Sequence, residues 1–479
     1  MCGIAGFCNF NENFEENTDY WNFRLEKMRA VLAHRGNDAR GRFLKKHIGL
    51  SHSRLAIRDI LCGDQPMTRT HNGYNYTICY NGEIYNTDEL IPELSENGFV
   101  CSTTSDTEVI LYAYIHWGAD FVSRLNGIFA FAIWDAAKNR LLLYRDRVGV
   151  KPLFYAIRGD SLVFGSEPKA CFAHPAVKPE LDKQGLQELL AIGPAHTSGL
   201  SLFKDLFEVL PGHFMIYSRD GLHDETYWEL TSREHTDSYQ DTVAHTRFLV
   251  EDAIKRQMVS DVPVCTFLSG GIDSSIVTAI AANYMNTRGK TLNTFSFDFK
   301  DNDKYFKANA FQPERDLPYV NRMLEEYETA HSYLECDENA LFKALFAAVD
   351  AKDMPGMTDV DSSLLYFCSL VSRKNKVALT GECADEIFGG YPWFYRKELL
   401  ERYGFPWSSD VAPRLALLRD DVGLELDLSG YQAFRYEESR SKAPLLYGET
   451  GEDESRRIIG YLNIKWFMQT LLDRMDRTS

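Results

Sequence analysis

Leu268-Ser269-Gly270-Gly271-Ile272-Asp273-Ser274-Ser275 lies between two apolar segments of different kinds. The run 262–268 predicts a buried strand that ends at Leu268, and the run 276–285 predicts a helix that begins near Ser274. The two glycines let the backbone turn tightly, while the helix N-terminus contributes N–H donors and a partial positive charge. The stretch therefore predicts a strand–helix unit with an anion-binding turn.

Asp273 makes the prediction for this turn more specific. A carboxylate repels a bare phosphate, but it suits a phosphate that arrives with Mg²⁺, because that ion prefers carboxylate and phosphate oxygens. The Gly-Lys-Ser/Thr ending of a Walker loop is missing. The alternative is an ordinary glycine turn capped by serine and aspartate, as at many strand–helix junctions.

The composition sets limits on the class of protein. A chain of 479 residues is long enough for at least two domains, each with its own core. A formal net charge of −17 argues against nucleic acid or an anionic membrane as the main partner. Ten cysteines without a C-x-x-C pair favour a reducing cytoplasm over a disulfide framework or a zinc site. With no signal peptide and no apolar run near ~18 residues, we expect a soluble, cytoplasmic protein.

The first part of the chain, to about residue 213, mixes short strands with few helices. The apolar patterns predict strands at 3–9, 48–57, 75–80, 128–135, 140–145, 153–157 and 161–165. Helical periodicity covers 20–33, 107–117 and 183–191. Because strands and helices do not alternate strictly along the chain, this part predicts an α+β layer architecture and not a parallel α/β sheet.

Cys2 is the first residue with a candidate catalytic role. If Met1 is removed, Cys2 carries a thiol and a free α-amino group on the same residue. An α-amine has a reference pKa near ~8, so at neutral pH it can take the proton from the thiol. Taken alone, a cysteine is more often structural than catalytic.

Three further features describe a pocket for a free amino acid beside that thiol. Asn81 and Gly82, expected just after the strand 75–80, would form an oxyanion hole. Arg54 would hold a carboxylate with its planar guanidinium, and Asp106 would hold an ammonium group. Each has an alternative: a hairpin turn for Asn-Gly, a surface ion for Arg54 and a helix N-cap for Asp106.

Motifs along this part of the chain resemble those of the class II glutamine amidotransferases. They include Cys2-Gly3-Ile4-Ala5-Gly6-Phe7, His34-Arg35-Gly36, Tyr80-Asn81-Gly82-Glu83-Ile84-Tyr85-Asn86, Ser105-Asp106-Thr107-Glu108 and Phe164-Gly165-Ser166-Glu167-Pro168-Lys169-Ala170. The resemblance implies an N-terminal-nucleophile glutaminase domain over residues 1–213, with stacked antiparallel sheets between helices. It also implies that Cys2 attacks the glutamine amide to give a glutamyl thioester and ammonia. Asn81 and Gly82 would then stabilise the oxyanion. The other implied glutamine contacts are Arg54, Glu83 and Asp106.

The second part of the chain contains the opening loop. Residues 214–235 are expected to form a junction and residues 236–479 a second domain. A strand-like run at 292–299 completes a strand–helix–strand unit, which predicts a parallel pair with ligands at the carboxyl ends. The polar residues 300–316 are predicted to form a mobile loop.

A second candidate loop follows a short strand expected at 377–380. It reads Gly381-Glu382-Cys383-Ala384-Asp385-Glu386. Its carboxylates form either a solvated turn or, if the strand is parallel to the first one, a cluster facing the opening loop. In the second case Asp273 and Asp385 would share Mg²⁺ bound to a triphosphate.

Together the two loops resemble the ATP-pyrophosphatase domain of the glutamine-hydrolysing asparagine synthetases, and the similarity runs from Cys2 to about Arg477. The resemblance implies an α/β parallel-sheet domain of the adenine nucleotide alpha hydrolase type. That domain would activate the side-chain carboxylate of L-aspartate with Mg-ATP as an acyl-adenylate, which ammonia from L-glutamine then attacks. Glu382 would assist formation and breakdown of the adenylate, and a homodimer is compatible with the resemblance. The implied ATP contacts are Leu268, Ser269, Gly270, Gly271, Asp273, Ser274, Ser275, Phe297, Thr380 and Gly381.

The chain departs from the family pattern at three places. Cys383 stands where relatives usually have glycine, and Phe297 where they often have a smaller aliphatic residue. The sequence also stops at Ser479, where relatives continue with a segment reading S-x-E-x-R-x-P-F-L-D. We therefore expect either a fragment or a shortened member with an impaired synthetase half. Two alternatives to asparagine synthesis stay open, namely amidation of a different carboxylate and hydrolysis of glutamine alone.

Overall fold

The computed structural model of the chain describes residues 1–308, 314–408 and 410–479, and these form two compact units. One unit comprises Met1–Ser232 and Pro392–Asp476, and the other comprises Arg233–Tyr391 and Arg477–Ser479. The break after Ser232 falls inside the junction expected at 214–235. Within the described ranges, no helix is both long and apolar enough to cross a bilayer.

Residues 1–232 contain twelve strands, all of them paired antiparallel. The strands are β1 (Gly3–Asn9), β2 (Ala39–Lys45), β3 (Ile48–Arg54), β4 (Met67–His71), β5 (Tyr74–Ile84), β6 (Gly127–Asp135), β7 (Arg140–Arg145), β8 (Phe154–Arg158), β9 (Ser161–Gly165), β10 (Phe207–Glu208), β11 (His213–Ser218) and β12 (Gly221–Thr226). The helices are α1 (Thr18–Ala30), α2 (Thr87–Glu96), α3 (Asp106–Trp117), α4 (Pro168–Phe172) and α5 (Lys183–Gln187). One sheet has the order β10-β8-β9-β1-β3-β2, and the other has the order β12-β11-β7-β6-β5-β4.

The period-two pattern of β1 shows why these sheets stack between helices. Ile4 and Cys8 point to the face shared by the two sheets, where they pack with residues such as Leu143. Ala5 and Phe7 point to the opposite face and pack against side chains of α1 and α4. The outer face of the second sheet is covered by α2 and α3 in the same way. The expected α+β fold of stacked antiparallel sheets between helices is confirmed.

The second unit is built on a parallel sheet. Its elements are α6 (Tyr239–Arg256), β13 (Val264–Phe267), α7 (Ile272–Asn286), β14 (Leu292–Phe299), α8 (Asn302–Tyr305), α9 (Leu317–Glu326), β15 (Thr329–Cys336), α10 (Glu338–Lys352), α11 (Thr358–Val371), β16 (Val377–Leu379) and α12 (Ala384–Phe388). The four strands lie in the order β15-β14-β13-β16, and every neighbouring pair is parallel. The expected α/β fold is confirmed.

This strand order explains where a ligand would bind. The chain adds β14 and β15 on one side of β13 and then crosses back to add β16 on the other side. Such a reversal leaves a crevice beyond the carboxyl ends of the two strands at the switch point. The crevice lies between the loops that follow β13 and β16, which are the two loops singled out by the sequence.

One expectation for residues 236–479 needs correction. The loop expected at 300–316 contains the short helix α8, and residues 309–313 of it lie outside the described residues. The compact unit that contains residues 1–232 also includes the segment Pro392–Asp476, and the division of the chain expected from the sequence stays a prediction. The physical reason for this grouping is a shared apolar core, in which Ile192 packs with Leu428 and Trp466.

The helices of the last part of the chain are α13 (Lys397–Leu400), α14 (Ala412–Leu415), α15 (Asp420–Leu426), α16 (Leu428–Arg440), α17 (Glu452–Leu462) and α18 (Met468–Thr478).

Candidate active sites

Cys2 immediately precedes β1, which lies between β3 and β9 inside the first sheet. Its Sγ accepts a hydrogen bond from the Leu55 backbone N–H at 3.4 Å, and its carbonyl oxygen accepts one from Arg35 Nε at 2.9 Å. Burial raises the pKa of the Cys2 thiol, and the neighbouring α-ammonium group and Leu55 lower it in part. The thiol is thus held at the N-terminal end of an interior strand, where an added base would be needed to ionise it.

Arg35 anchors the backbone of Cys2 through a buried charge network. Its guanidinium donates to Glu167 at 2.8 Å and to Asp476 at 2.6 Å, and Lys151 Nζ lies 3.2 Å from Asp476. Burial lowers the pKa of Arg35, but the charges of Asp476 and Glu167 outweigh it and raise the pKa above the ordinary value of arginine. Sequence reasoning had noted Arg35 and Glu167 only as family motifs, and it had missed Asp476.

Asn81 and Gly82 lie inside a strand, which corrects the expectation that they follow one. β5 continues through them because Asn81 pairs with Ala130 and Gly82 pairs with Phe129. The hairpin-turn alternative for Asn-Gly is therefore wrong. Gly82 has φ +158°, and a Cβ there would lie 2.1 Å from the Ile128 carbonyl oxygen, so only glycine fits.

The side chain of Asn81 has the character of an oxyanion donor. The residue is 1% exposed, and its Nδ2 has no hydrogen-bond partner among the residues that the structure describes. Leaving a buried amide unpaired costs about 1–3 kcal/mol. That cost is recovered when a ligand oxygen accepts the bond, which is the arrangement expected of a group preorganised for a developing negative charge.

Arg54 ends β3 and is buried, so the surface-ion alternative is wrong. Its two Nη atoms make four contacts within residues 58–64. The acceptors are the carbonyl oxygens of Arg58 (3.2 Å), Asp59 (2.6 Å) and Ile60 (3.2 Å), together with Asp64 Oδ1 (3.0 Å). The guanidinium proposed to hold a substrate carboxylate is therefore already engaged by a loop of the protein.

Asp106 is the first residue of α3, and the N-cap is Ser105, whose Oγ accepts from the Thr107 backbone N–H. The N-cap alternative for Asp106 is therefore wrong. Its Oδ2 accepts from the Tyr80 hydroxyl at 2.9 Å and from the Ile84 backbone N–H at 3.0 Å.

Glu83 and Asp106 form a pair of neighbouring carboxylates. Burial and the charge of Asp106 raise the pKa of Glu83 well above its ordinary value, while Arg58 opposes the rise. One guanidinium nitrogen of Arg58 lies 3.8 Å from Asp106 Oδ2. Two neighbouring buried carboxylates disfavour each other's ionised form, and one cation beside them would stabilise that form. A substrate ammonium group would supply this cation.

The opening loop turns between β13 and α7 as the sequence indicates, although α7 begins at Ile272 rather than near Ser274. Leu268 is buried, its N–H donates to the Phe295 carbonyl oxygen at 2.8 Å, and its carbonyl oxygen accepts from Ser296 Oγ. Gly270 has φ +84°, and a Cβ there would lie 2.8 Å from Tyr319 Cβ. Both requirements select glycine at this position.

Serine hydroxyls fix the inside of this loop. Ser274 Oγ accepts from the Ser269 backbone N–H at 3.2 Å and lies 3.0 Å from Ser269 Oγ. The backbone N–H of Ser275 donates to the Gly271 carbonyl oxygen at 3.0 Å as part of α7. Phe297 is half-buried in β14 and its ring centroid lies 5.2 Å from that of Phe367, so the ring packs on the core below the crevice.

The second loop packs directly against the start of α7. A Cβ on Gly381 would lie 2.8 Å from Asp273 Cβ and 2.8 Å from the Ser274 backbone nitrogen. The Glu382 backbone N–H donates to Thr380 Oγ1 at 3.4 Å. Burial and the charge of Asp385 raise the pKa of Asp273. The alternative of an isolated solvated turn is therefore wrong for this loop.

Cys383 adopts the left-handed conformation, with φ +72°, just before α12. A side chain is strained there and glycine is not, so Cys383 departs from the residue type that this backbone conformation favours. The thiol is buried.

Asp273 and Asp385 suit a hydrated Mg²⁺ ion. Across the described part of the chain, no group of three or more histidine, cysteine, aspartate or glutamate side chains is arranged to hold a metal. Mg²⁺ in nucleotide sites is bound by one or two carboxylates, with phosphates and water completing the octahedron. Burial and the charge of Asp385 both raise the pKa of Asp273, and a bound cation would favour its ionised form.

Two family models match successive parts of the chain. Residues 1–228 match the family model for the glutamine amidotransferase domain, and residues 245–479 match the model for asparagine synthase. The whole chain is 48% identical to the glutamine-hydrolyzing asparagine synthetase 3 of Bacillus subtilis strain 168 and spans 77% of that protein. It is 33% identical to synthetase 1 of the same organism, over 83% of this chain and 60% of that protein. Amidase chyE of Penicillium rubens is 31% identical, over 97% of this chain and 68% of that protein.

Proposed function

We propose, for a chain that belongs to the family of glutamine-hydrolysing asparagine synthetases, that it amidates L-aspartate to L-asparagine through a β-aspartyl-AMP intermediate. It is a carbon–nitrogen ligase that takes its amide nitrogen from glutamine. The balanced reaction consumes L-aspartate, L-glutamine, ATP and water, and yields L-asparagine, L-glutamate, AMP and pyrophosphate. The ten free thiols fit a reducing compartment and support a cytoplasmic location.

In the glutaminase half, the Cys2 thiolate attacks the side-chain carbonyl carbon of glutamine. Removal of Met1 would free the α-amino group that takes the thiol proton and later gives it to the departing ammonia. Asn81 Nδ2 and the backbone N–H of Gly82 stabilise the oxyanion while the C–N bond breaks. Water then hydrolyses the thioester to glutamate and restores the thiol.

In the synthetase half, a side-chain carboxylate oxygen of aspartate attacks the α-phosphorus of ATP, and the bond to pyrophosphate breaks. The turn between Leu268 and Ser275 and the strand end at Thr380 and Gly381 bind the nucleotide through backbone N–H groups and the α7 N-terminus. Asp273 and Asp385 would hold Mg²⁺, which would supply positive charge to the phosphate oxygens. Ammonia then attacks the acyl carbon, AMP leaves, and Glu382 accepts the proton that the new amide nitrogen loses.

The observation that carries this proposal is the packing of Gly381 against Asp273 at the switch point of the sheet. It brings together a glycine turn, a helix N-terminus and two carboxylates from loops more than a hundred residues apart in sequence. A site for phosphate alone does not require the carboxylates, whereas a site for Mg-ATP does.

The test is pyrophosphate release from ATP and L-aspartate, with ammonia replacing glutamine. Release that depends on both aspartate and Mg²⁺, together with asparagine as the product, supports the proposal. If other carboxylates are amidated faster than aspartate, the substrate assignment fails. If glutamine is hydrolysed but no pyrophosphate appears, the chain is a glutaminase and the synthetase claim fails.

A further inference from the structure

Residues 58–64, here called the 58–64 loop, carry one acidic and one basic side chain that face the proposed glutamine subsite. Asp64 Oδ1 accepts a hydrogen bond from Arg54 Nη1 at 3.0 Å, and Arg58 Nη1 lies 3.8 Å from Asp106 Oδ2. These two contacts fall on the residues expected to bind the α-carboxylate and the α-ammonium group of a free amino acid. A carboxylate and a cation of the protein therefore lie on the two charged ends of the subsite.

The Asp64 contact has the properties of a replaceable ligand. The Asp64 side chain is 75% exposed, whereas the Arg54 side chain is 6% exposed. The three other acceptors on Arg54 are backbone carbonyl oxygens of the loop, which cannot leave without unfolding it. Asp64 is the one side-chain acceptor among these four, so it is the acceptor that an incoming carboxylate would displace.

The contact between Arg58 and Asp106 is also one that a ligand can replace. Arg58 donates to the Ile84 carbonyl oxygen at 2.9 Å and lies 3.3 Å from Thr87 Oγ1. At 3.8 Å its guanidinium is too far from Asp106 for a hydrogen bond but close enough to balance its charge. A primary ammonium group could approach Asp106 more closely and take over that balance.

The backbone of the 58–64 loop is held in this arrangement. Asp59 has φ +45°, in the left-handed region that non-glycine residues seldom adopt. Its carboxylate accepts from the Cys62 backbone N–H at 2.9 Å and from the Thr104 backbone N–H at 2.8 Å. Gly63 packs on Arg54, because a Cβ there would lie 2.3 Å from Arg54 Nη2. These contacts hold the 58–64 loop against Arg54 in the proposed glutamine subsite.

From this geometry we propose that the 58–64 loop is an internal mimic of glutamine's charges, with Asp64 and Arg58 occupying the carboxylate and ammonium positions until glutamine displaces them. The proposal deepens the proposed function and rests on its glutaminase half. Glutamine binds only to molecules in which Asp64 and Arg58 have left the subsite. The apparent Kd for glutamine is therefore the intrinsic Kd divided by the fraction of such molecules. The two internal contacts also make binding more specific, because only a ligand with both a carboxylate and an ammonium group replaces both of them.

The test measures binding by calorimetry in the Cys2→Ala background, where no hydrolysis consumes the ligand. Asp64→Asn removes the internal carboxylate, and we expect the Kd for glutamine to fall by about two- to fivefold, the effect of one partly exposed ion pair. Arg58→Gln removes the internal cation while keeping a donor for the Ile84 carbonyl oxygen, and we expect a decrease of similar size. Asp220→Asn and Arg233→Gln make the same charge changes at exposed residues elsewhere and should leave the Kd unchanged.

Two truncated analogues of glutamine distinguish the two ends of the subsite. 4-Carbamoylbutanoate lacks the α-amino group, so Asp64→Asn should tighten its binding and Arg58→Gln should not. 4-Aminobutanamide lacks the α-carboxylate, so the opposite pattern is expected. If neither variant tightens glutamine binding, or if each shifts all three ligands equally, the mimic is refuted and the 58–64 loop is only a scaffold.

The design separates this proposal from the proposed function. If the Cys2→Ala chain binds glutamine with the expected pattern but the unsubstituted chain releases no glutamate, the hydrolysis claim fails and the mimic stands. If no glutamine binds to any variant, the subsite and the mimic both fail, whereas ammonia-dependent pyrophosphate release still tests the synthetase half.

Discussion

Replacing Gly381 by alanine should force the two loops of the proposed nucleotide site apart. The new Cβ would lie 2.8 Å from Asp273 Cβ and 2.8 Å from the Ser274 backbone nitrogen. Contacting carbon atoms are about 3.5–4.0 Å apart, so at least one loop must move by roughly 0.7 Å. No rotamer change relieves the clash, because its atoms are backbone or the first side-chain carbon. Overpacking of this kind costs about 1–3 kcal/mol, which corresponds to a decrease in kcat/KM for ATP of roughly 5- to 150-fold.

The assay is ammonia-dependent pyrophosphate release over a range of ATP concentrations, with glutamine hydrolysis measured on the same preparation. Glutamine hydrolysis should be unchanged, because Gly381 and Cys2 belong to different compact units. Gly423→Ala is the matched control, since its Cβ would meet nothing closer than Leu415 Cδ2 at 3.6 Å. If Gly381→Ala keeps the kcat/KM of the unsubstituted chain, the two loops do not form one nucleotide site and the reasoning fails.

The remaining predictions concern four other residues. Cys2→Ala should abolish glutamine-dependent synthesis and keep ammonia-dependent synthesis, and loss of both would contradict the division into two sites. Asn81→Ala should lower the kcat of glutamine hydrolysis by about 10²–10³-fold, whereas a decrease of less than tenfold would exclude an oxyanion role. Asp385→Asn should lower the pKa of Asp273 and raise the Mg²⁺ concentration for half-maximal pyrophosphate release by roughly tenfold or more; an unchanged Mg²⁺ requirement would remove Asp385 from the metal site. Burial lowers the pKa of His52 to about 4, so the unfolded chain binds more protons between pH 4 and 6.5 and stability falls as pH decreases through that range. His52→Gln should therefore remove about 2 kcal/mol of the stability lost between pH 7 and 5, as measured by urea unfolding, and an identical loss in both proteins would refute this.

The sequence predicted those features that depend on local pattern. Period-two alternation located β1 at Gly3–Asn9, and the Gly-Gly motif located the turn between β13 and α7. The approach of Asp385 to Asp273 also followed from local signals, because parallel strands bring their carboxyl ends to one edge. Each of these inferences needed only neighbouring residues and one topological rule.

The features that the sequence did not predict depend on partners far apart in the chain. Arg35 and Asp476 are separated by 441 positions, and no local pattern pairs them. Asn81 was expected just after a strand, with a hairpin turn as the alternative, because Asn-Gly favours turns locally. Its pairing with Ala130 keeps it inside β5. Arg54 was expected to bind a substrate carboxylate, which stays a prediction. The occupancy of its donors by the 58–64 loop was not predicted, because it depends on that loop's conformation.

β16 is a strand of only three residues at the edge of its sheet, yet it carries Thr380, Gly381 and Asp385 into the proposed nucleotide site. A short edge strand opens more readily than the interior strands of a sheet. A ligand that contacts both loops binds only when this edge is docked, so its binding free energy is added to the local folding of β16. Nucleotide binding and the local folding of β16 are therefore coupled. The backbone amides of Val377–Leu379 should exchange with solvent more slowly as Mg-ATP is added.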